Sequence, residues 1–320
     1  VGDAVGVPAS VSQYVGPATP EKVTWATVLE SYQPGTVTVM WSPITKDVNG
    51  NEIPQSQISY SIMVWDEEGM HPLFDHNFTD TRATFKAIED PEKQDFVEYF
   101  VLAYNREAPA NAPIATEMIP VGKPYDIPVK YSNMNDLEKY LLGVRNYSGY
   151  IQWSMYGDES IEGITSADGD GQYFGCRASY IGVEADLYTG RINVIDGEHP
   201  ELTFRVFKVS AEDANTYKVT IFVDGEEILL GTVDNKDLKE DKWNLVRFPL
   251  KDYVGKNVQL QISAVPQNMA FSFVDDIQIR ETPSFDLSAT ALYAPVSATA
   301  NKPFDIYAEV ANTGFETARD

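Results

Sequence analysis

Short strands with alternating apolar and polar side chains are the feature of this sequence that most restricts its fold. Gly, Pro, Asn and Asp separate these runs along nearly the whole chain, and helical spacing is found only near residues 135–142. An alternating strand buries one face and exposes the other, so many such strands in series indicate β-sandwiches. Because 320 residues exceed the usual size of one sandwich, we predict an all-β chain of tandem β-sandwiches.

The charge balance narrows the classes of partner. The formal net charge is −24 at pH 7, whereas nucleic-acid binders carry clustered Lys and Arg. No apolar run is long enough to cross a bilayer as a helix. We therefore predict no nucleic-acid partner, no direct membrane insertion and a monomeric chain. The single cysteine, Cys176, has no disulfide partner, and we predict that it is a small buried apolar residue.

Two similar segments predict where the first complete domain begins and ends. Residues 12–17 and 118–124 each run from a strand into Val-Gly and then a proline, which cannot continue strand pairing. Residues 1–18 are then the end of a preceding sandwich or a linker, and residues 19–122 form a domain. Apolar residues alternate within it, and we predict that Trp41 is a core residue rather than a ligand platform.

Residues 19–122 resemble a fibronectin type III domain. The resemblance rests on Trp41 in the second strand, Tyr60 in the third, and Val-Leu-Ala-Tyr-Asn at 101–105 in the sixth. The family's corner tyrosine would fall near Val97, and the glycine usual after Asn105 is absent. The resemblance implies a fibronectin type III-like β-sandwich despite these two departures.

The next segment, residues 123–282, has the pattern of a larger sandwich. Its one predicted helix covers residues 135–142, with Asn135 as the cap. Six predicted strands follow, at residues 202–209, 217–223, 227–233, 243–250, 258–265 and 271–279. Asp224-Gly225 stands between two of them and predicts a hairpin turn. Together with two or three earlier strands, this set predicts a two-sheet jelly roll.

The last segment, residues 283–320, contains two more alternating runs. Its Asp286-Leu287 opening, Pro303 before the second run, and Asn-Thr-Gly at 312–314 resemble the start of the small bacterial sandwich known as the CARDB domain. Two strands do not form a stable domain. We therefore expect the natural protein to continue beyond Asp320.

Ala-Asp-Gly-Asp-Gly at residues 167–171 is the sharpest local signal of a binding site. Glycines between Asp168 and Asp170 allow the backbone to curl so that both carboxylates reach one cation. An EF-hand is excluded, because Tyr173 stands at its glycine position and Ser179 at its closing Glu position. The alternative is an ordinary solvated turn.

An ordered set of motifs in the second sandwich resembles the cleaved-adhesin and choice-of-anchor J domains, which are related to MAM-type jelly rolls. The set comprises Trp153, residues 168–171, residues 187–192, residues 202–204 and residues 274–277. The resemblance implies a structural calcium ion held by Asp168, Asp170 and Asp275. Strand alternation is expected to turn Asp276 to the opposite face, and the alternative is an acidic surface pair at a strand end.

Tyrosines are dense between Tyr140 and Tyr188. Amphipathic rings in loops are typical of surfaces that bind glycans or proteins. We predict a binding patch formed by four loop tyrosines, Tyr147, Tyr150, Tyr156 and Tyr173. The alternative is that several of them are half-buried strand residues.

The sequence carries no recognisable catalytic motif: it lacks Gly-x-Ser-x-Gly, His-Glu-x-x-His and a phosphate-binding Gly-rich loop. We therefore predict a non-catalytic, secreted or cell-surface adhesion region that recognises a glycan or a host or matrix protein. The alternative is the accessory region of a secreted peptidase or glycoside hydrolase whose catalytic domain lies outside this chain. A spacer without any ligand is a third hypothesis. Coding sequence on both sides of this segment would separate the first two.

Overall fold

A computed structural model of the chain describes residues 16–146, 153–177, 183–267, 271–293, 297 and 302–316. It divides into two units, Val1–Gly122 and Lys123–Asp320. Nearly all regular structure in the described ranges is antiparallel β-strand. The predicted fold class, all-β with tandem β-sandwiches, is confirmed.

The described part of the first unit contains ten short strands. They are β1 (Ala26–Glu30), β2 (Thr36–Trp41), β3 (Ile58–Asp66), β4 (Gly69–Phe78), β5 (Arg82–Lys86), β6 (Asp95–Val97), β7 (Phe100–Asn105), β8 (Ala108–Pro109), β9 (Ile114–Ala115) and β10 (Ile119–Val121). One sheet has the order β1-β2-β5, and a second has the order β4-β3-β7, with β8 and β9 both paired to β7. Strands β6 and β10 form a separate pair.

The core of the first unit lies between its two main sheets. Trp41 from β2 and Tyr60 from β3 are both 1% exposed, and their ring centroids are 5.4 Å apart. The Tyr60 hydroxyl accepts a hydrogen bond of 2.9 Å from the backbone N–H of Ile44, which gives the buried ring a polar partner. The prediction that Trp41 is a core residue is confirmed. The unit closes after β10 at Gly122, where φ is 118° and a Cβ would overlap the carbonyl oxygen of Lys93.

The described part of the second unit contains fourteen strands and one α-helix. They are β11 (Tyr125–Asp126), β12 (Val129–Tyr131), α1 (Met134–Lys139), β13 (Leu142–Asn146), β14 (Trp153–Gly157), β15 (Gln172–Arg177), β16 (Ala185–Asn193), β17 (Pro200–Lys208), β18 (Thr216–Val223), β19 (Glu226–Asp234), β20 (Lys242–Pro249), β21 (Asn257–Val265), β22 (Phe271–Glu281), β23 (Leu287–Tyr293) and β24 (Tyr307–Asn312).

Strands β11–β22 form a sandwich of two six-stranded sheets. We call the sheet with the order β11-β16-β21-β18-β19, to which β13 is also paired, the first sheet, and the sheet with the order β14-β15-β22-β17-β20, to which β12 is also paired, the second sheet. Alternate residues of both sheets point inward, including Leu187, Phe204, Tyr217, Ile262 and Val274. These side chains exclude water from the space between the sheets and make this core the main stabilising feature of the unit.

The hairpin turn predicted at Asp224-Gly225 joins β18 to β19. The φ angles are 52° at Asp224 and 84° at Gly225. Two consecutive left-handed residues are typical of the two-residue hairpin loops that match strand twist. This prediction is confirmed.

The helix differs from its prediction at both ends. Its N-cap is Asn133 rather than Asn135, and the Asn133 side chain accepts hydrogen bonds from the backbone N–H groups of Asn135 and Asp136. The helix ends at Lys139, because Tyr140 is extended and Leu142, the last residue of the predicted helix, already begins β13, which pairs with β16. Strand pairing in the sheet outweighs the weak helix preference of this short segment.

Strands β23 and β24 form a two-stranded antiparallel hairpin at the end of the second unit. Arg280 lies 3.1 Å from the carboxylate of Asp286, and the His199 and Phe315 rings stack 3.7 Å apart, so these residues link the hairpin to the sandwich. Among the helices of the described residues, none is long and apolar enough to cross a membrane.

Candidate functional site

Strand β22 places two kinds of side chain on the outer face of the second sheet. Val274 of β22 points into the core of the sandwich, whereas Phe271 and Phe273 belong to a separate apolar cluster on the other side of the sheet. Asp275 continues this outward alternation, two residues beyond Phe273. The outer face is therefore aromatic at the start of β22 and acidic beyond it.

The acidic part brings two of the predicted metal ligands together. The Ser132 hydroxyl lies 2.8 Å from Asp168 Oδ2 and 3.3 Å from Asp275 Oδ1. The backbone N–H of Ala167 donates a hydrogen bond of 2.6 Å to Asp275 Oδ2. The loop between β14 and β15 is thus fastened to the closing strand of the sheet. We call Lys130, Ser132, Asp168, Asp170, Asp275 and Asp276 the acidic network.

Asp170 lies in the same loop, but its carboxylate is turned to other partners. It accepts hydrogen bonds of 2.7 Å from Asn133 Nδ2 and 3.0 Å from the backbone N–H of Gln172. Within the described part of the chain, no three His, Cys, Asp or Glu side chains are grouped so that they could hold a metal ion. The atoms of the network that could ligate a metal are nevertheless carboxylate and hydroxyl oxygens, which are the ligands that calcium prefers.

A lysine ammonium lies among these carboxylates. Lys130 Nζ is 2.5 Å from Asp168 Oδ2 and 3.6 Å from Asp276 Oδ1, and Arg205 Nε is 3.4 Å from Asp276 Oδ2. The expected turning of Asp276 to the opposite face is wrong. Asp276 has a φ of 50°, and the pairing of β17 with β22 shifts register beside it. This β-bulge interrupts the alternation of the strand.

Burial, with a smaller contribution from the negative charges of Asp168 and Asp170, raises the pKa of Asp275 to about 7 against the opposing effect of two backbone hydrogen bonds. Burial also tends to raise the pKa of Asp168, but hydrogen bonds from Lys130 and Ser132 outweigh it, and the pKa is lowered. Burial tends to lower the pKa of Lys130, yet its contact with Asp168 leaves this pKa raised. Burial therefore decides the direction of the pKa shift at Asp275, whereas the contacts with Lys130 and Ser132 decide it at Asp168.

The aromatic part of the outer face contains two of the four predicted tyrosines. We call it the aromatic cluster, and its rings are Tyr156, Tyr173, Phe207, Trp243, Phe271 and Phe273. Tyr156 and Tyr173 stack with centroids 5.9 Å apart and planes at 12°. They lie in β14 and β15 rather than in loops, and Tyr173 is fully buried while Tyr156 is half-buried. Tyr147 and Tyr150 lie outside the described residues.

Sequence reasoning missed the other four rings of the cluster. Phe207, Trp243, Phe271 and Phe273 were expected only as strand residues, with no role in a site. The spacing of two between Phe271 and Phe273 along β22 indicates that these two rings share a face. Phe207 in β17 and Trp243 in β20 join them only because β17, β20 and β22 lie in one folded sheet. Sheet order was the missing information.

A cavity of about 500 Å³ opens beside the aromatic cluster. Its wall combines the loop at residues 161–164, the end of β17 with the following turn, and the start of β22. The described residues that line it are Ile161, Glu162, Gly163, Ile164, Phe207, Val209, Ser210, Glu212, Asp213, Asp241, Phe271 and Phe273. This volume is within the usual range of small-ligand sites.

The outer face of the first sheet is polar instead. Asp186 is 1% exposed, and the Tyr188 hydroxyl donates a hydrogen bond of 3.2 Å to its Oδ2. In β21, the strand beside β16, Gln261 Nε2 donates a hydrogen bond of 2.7 Å to the Ser263 hydroxyl of the same strand. Asp186 Oδ1 has no hydrogen-bond partner among the described residues, and burial raises the pKa of this carboxyl.

No protein-family model matches this chain, and no curated protein matches it. Several solved structures are similar in part. A cleaved adhesin domain of Lys-gingipain from Porphyromonas gingivalis is 13% identical with a TM-score of 0.36, over 48% of this chain and 98% of that one. A carbohydrate-binding module of Caldicellulosiruptor saccharolyticus in complex with mannohexaose is 14% identical with a TM-score of 0.34, over 48% and 97%.

A carbohydrate-binding module of the β-sandwich superfamily is 13% identical with a TM-score of 0.32, over 82% of this chain and 98% of that one. Similarity at these TM-scores does not carry a function to this chain.

Proposed function

We propose that this chain is a non-catalytic binding region of a secreted or cell-surface protein, and that its second unit recognises a glycan or a host or matrix protein. The observation that carries the proposal is the cavity beside the aromatic cluster. It lies on an outer face of the sandwich, where packing of the main core does not require aromatic rings. Apolar surface that remains open outside a core is typical of binding sites.

The chemistry of the cavity supports binding rather than catalysis. Ser210 is the one side-chain hydroxyl among its described lining residues, and no histidine or cysteine is among them. Cys176 lies in the main core, where burial raises its pKa to about 12, so its thiolate is not formed at neutral pH. An activated nucleophile with an adjacent base is missing from the described lining.

A glycan array and a panel of matrix proteins test this function. Val209 is 40% exposed at the cavity, so Val209→Trp fills the opening without disturbing the core. Ile228 is 39% exposed on β19 of the first sheet, and Ile228→Trp is the matched control. We expect a ligand whose binding is lost in the first variant and kept in the second. Silence on both panels, or equal losses in both variants, contradicts the proposal.

We also propose the domain families that the sequence resembles. The first unit would be a fibronectin type III-like domain over residues 19–122, supported by its two sheets around Trp41 and Tyr60. The sandwich at residues 123–282 would be an adhesin-type jelly roll, supported by its paired six-stranded sheets. The hairpin at residues 283–320 would open a CARDB-like domain. Sequencing the gene beyond Asp320 tests the last assignment, which predicts further strands.

We also propose that the acidic network binds a structural calcium ion. Support comes from the carboxylate and hydroxyl oxygens of the network, and from the negative charges of Asp168 and Asp170 beside Asp275, which add to the effect of burial in raising the pKa of that carboxyl. The obstacle is Lys130, whose ammonium already contacts Asp168. A calcium ion held by Asp168, Asp170 and Asp275 would have to displace this ammonium and turn Asp170 away from Asn133.

Thermal unfolding with and without chelator tests the calcium proposal. An ion that binds only the folded state stabilises it by mass action, by about 2.7 kcal/mol at a hundred times its dissociation constant. We expect chelation to lower the melting temperature, and Asp168→Ala or Asp170→Ala to remove that sensitivity. A melting curve that chelator leaves unmoved contradicts a calcium site. Asp252→Ala, at an exposed carboxylate remote from the network in sequence, serves as the control.

A further inference from the structure

The lining of the cavity beside the aromatic cluster combines apolar side chains with carboxylates. Its floor is apolar, and the six side chains that form it are Ile161, Ile164, Phe207, Val209, Phe271 and Phe273. Four carboxylates share the lining, those of Glu162, Glu212, Asp213 and Asp241. Among the described residues that line it, none is Lys, Arg or His.

The hydrogen-bonding capacity of this lining is one-sided. Ionised carboxylates only accept hydrogen bonds, and Ser210 carries the one side-chain donor among the described lining residues. Asp213 accepts from the backbone N–H of Asn215 at 3.1 Å, which orders the turn that carries it. Glu162 and Asp241 are exposed, so they can turn to a group arriving from solvent.

We propose that this cavity binds a lysine or arginine side chain of a protein partner. This inference rests on the proposed binding function and names the ligand chemistry of the same site. The aliphatic stem of such a side chain would pack on Phe207 and the isoleucines, while its cationic head would meet the carboxylates at the opening. Lysine and arginine heads only donate hydrogen bonds, which complements a lining that mainly accepts them.

One ring of this floor already contacts a cationic side chain of the same chain. The guanidinium carbon of Arg177 lies 5.6 Å from the centroid of the Phe271 ring. Arg177 is not among the residues that line the cavity. Phe271 therefore already takes part in one cation–π contact, the same kind of contact that an incoming side chain would make.

A neutral glycan fits the lining less well. Sugar hydroxyls both donate and accept hydrogen bonds, and sites that bind them supply amide or cationic donors as well as carboxylates. The described lining contains no Asn, Gln, Lys or Arg side chain. The net charge of −24 adds long-range attraction for a basic partner and repulsion for an acidic one.

Binding of short labelled peptides to the whole chain tests the inference. The probes alternate glycine with lysine, with arginine or with Nε-acetyl-lysine, and affinity is measured by fluorescence anisotropy at low and moderate salt. Acetylation keeps the stem and removes the charge. We expect the lysine and arginine peptides to bind at least about tenfold more tightly than the acetylated peptide, because removal of one charge from an interfacial charge pair typically weakens binding by this amount or more.

Paired variants separate recognition in the cavity from general attraction to an acidic protein. Glu162→Gln with Asp241→Asn removes two charges from the lining, and Glu227→Gln with Asp252→Asn removes two exposed charges elsewhere in the second unit. Asn is compatible with the left-handed φ of 51° at Asp241. We expect the first pair to weaken binding about tenfold and the second less than about twofold.

Equal weakening by the two pairs overturns the inference, because overall charge then accounts for the binding. Binding of the acetylated peptide as tight as that of the lysine peptide also overturns it. Failure of every peptide to bind, together with glycan or matrix-protein binding that Val209→Trp abolishes, refutes this ligand chemistry and leaves the proposed function intact. If neither the peptides nor any glycan or matrix protein binds, the proposed function is contradicted as well.

Discussion

The two sheets of the second unit are alike on their inner faces and differ on their outer ones. Both present alternating apolar side chains to the core, such as Ile262 in the first sheet and Val274 in the second. Outward, the first sheet buries a polar group of side chains around Asp186, whereas the second sheet carries the aromatic cluster and the acidic network. The inner faces determine that a sandwich forms, and the outer faces determine what it can bind.

The difference also concerns how each outer face is stabilised. On the second sheet, rings such as Phe273 are removed from water by contact with one another. On the first sheet, burial of the Asp186 carboxyl costs free energy, because only part of its hydrogen-bonding capacity is met. Apolar packing should therefore matter more to stability than the polar group does.

The largest effect is expected from Phe273→Ala. Phe273 is 1% exposed and contacts Tyr156, Tyr173 and Phe271. Loss of such a ring typically costs about 3–5 kcal/mol of unfolding free energy. Calorimetry on the whole chain measures it, with Thr220→Ala on the outer face of the first sheet as the comparison. A loss below about 1 kcal/mol would show that the aromatic cluster is not a packed core.

A smaller effect is expected from Lys130→Met. The substitution keeps most of the side-chain stem but removes the ammonium that Asp168 and Asp276 share, and we expect a loss of about 1–2 kcal/mol at pH 7.5 in chelator. Denaturant midpoints provide the measurement. If added calcium restores the variant beyond the wild type, the lysine occupies the place of the ion. Unchanged stability in chelator contradicts a stabilising role for Lys130.

Asp186→Asn should change the pH dependence of stability. Because burial raises the pKa of Asp186 in the folded state, the folded chain retains a proton that the unfolded chain releases. Stability is therefore greatest below the pKa of the unfolded carboxyl, about 4, and falls as pH rises through the higher folded pKa. The amide variant lacks this decline and should gain roughly 1 kcal/mol at pH 8. The measurement is the unfolding midpoint of both proteins from pH 4 to 8. If the midpoint depends on pH in the same way in the variant and the wild type, Asp186 does not contribute to the pH dependence of stability.

The smallest effect is expected from Tyr188→Phe. It removes the hydroxyl that donates to Asp186 Oδ2 and should cost roughly 0.5 kcal/mol at pH 8. The cost should shrink as the pH is lowered from 8 towards 4, because burial raises the pKa of Asp186 and protonation of the carboxyl weakens the hydrogen bond. Tyr253→Phe, at a tyrosine outside this group, is the control for the loss of a hydroxyl. Equal losses at both pH values would separate Tyr188 from the charge of Asp186.

Much of the local structure was predictable because alternation reports burial directly. The predicted strand at 217–223 is found at Thr216–Val223, and the one at 258–265 is found at Asn257–Val265. Trp41 and Cys176 are buried as expected. Asp224-Gly225 is a turn because few residues other than Asp, Asn and Gly accept a left-handed φ.

The candidate site was predictable only in part. The Asp-Gly loop and β22 were expected to meet, and Ser132 does join Asp168 to Asp275. The β-bulge at Asp276 was not expected, because it arises from the pairing of β17 with β22 rather than from local sequence. Lys130 was missed for a related reason: β12 reaches the network by pairing with β22, far along the chain.

The sequence by itself determined that this protein is a series of β-sandwiches, because side-chain alternation and turn residues act over a few neighbouring positions. Only the tertiary structure decided which outer face became aromatic and which polar. That outcome depends on which strands lie side by side, and strands such as β17 and β22 are separated by more than sixty residues. The cavity exists because the loop at residues 161–164, the turn after β17 and the start of β22 meet on the outer face of the second sheet, although they are far apart in sequence.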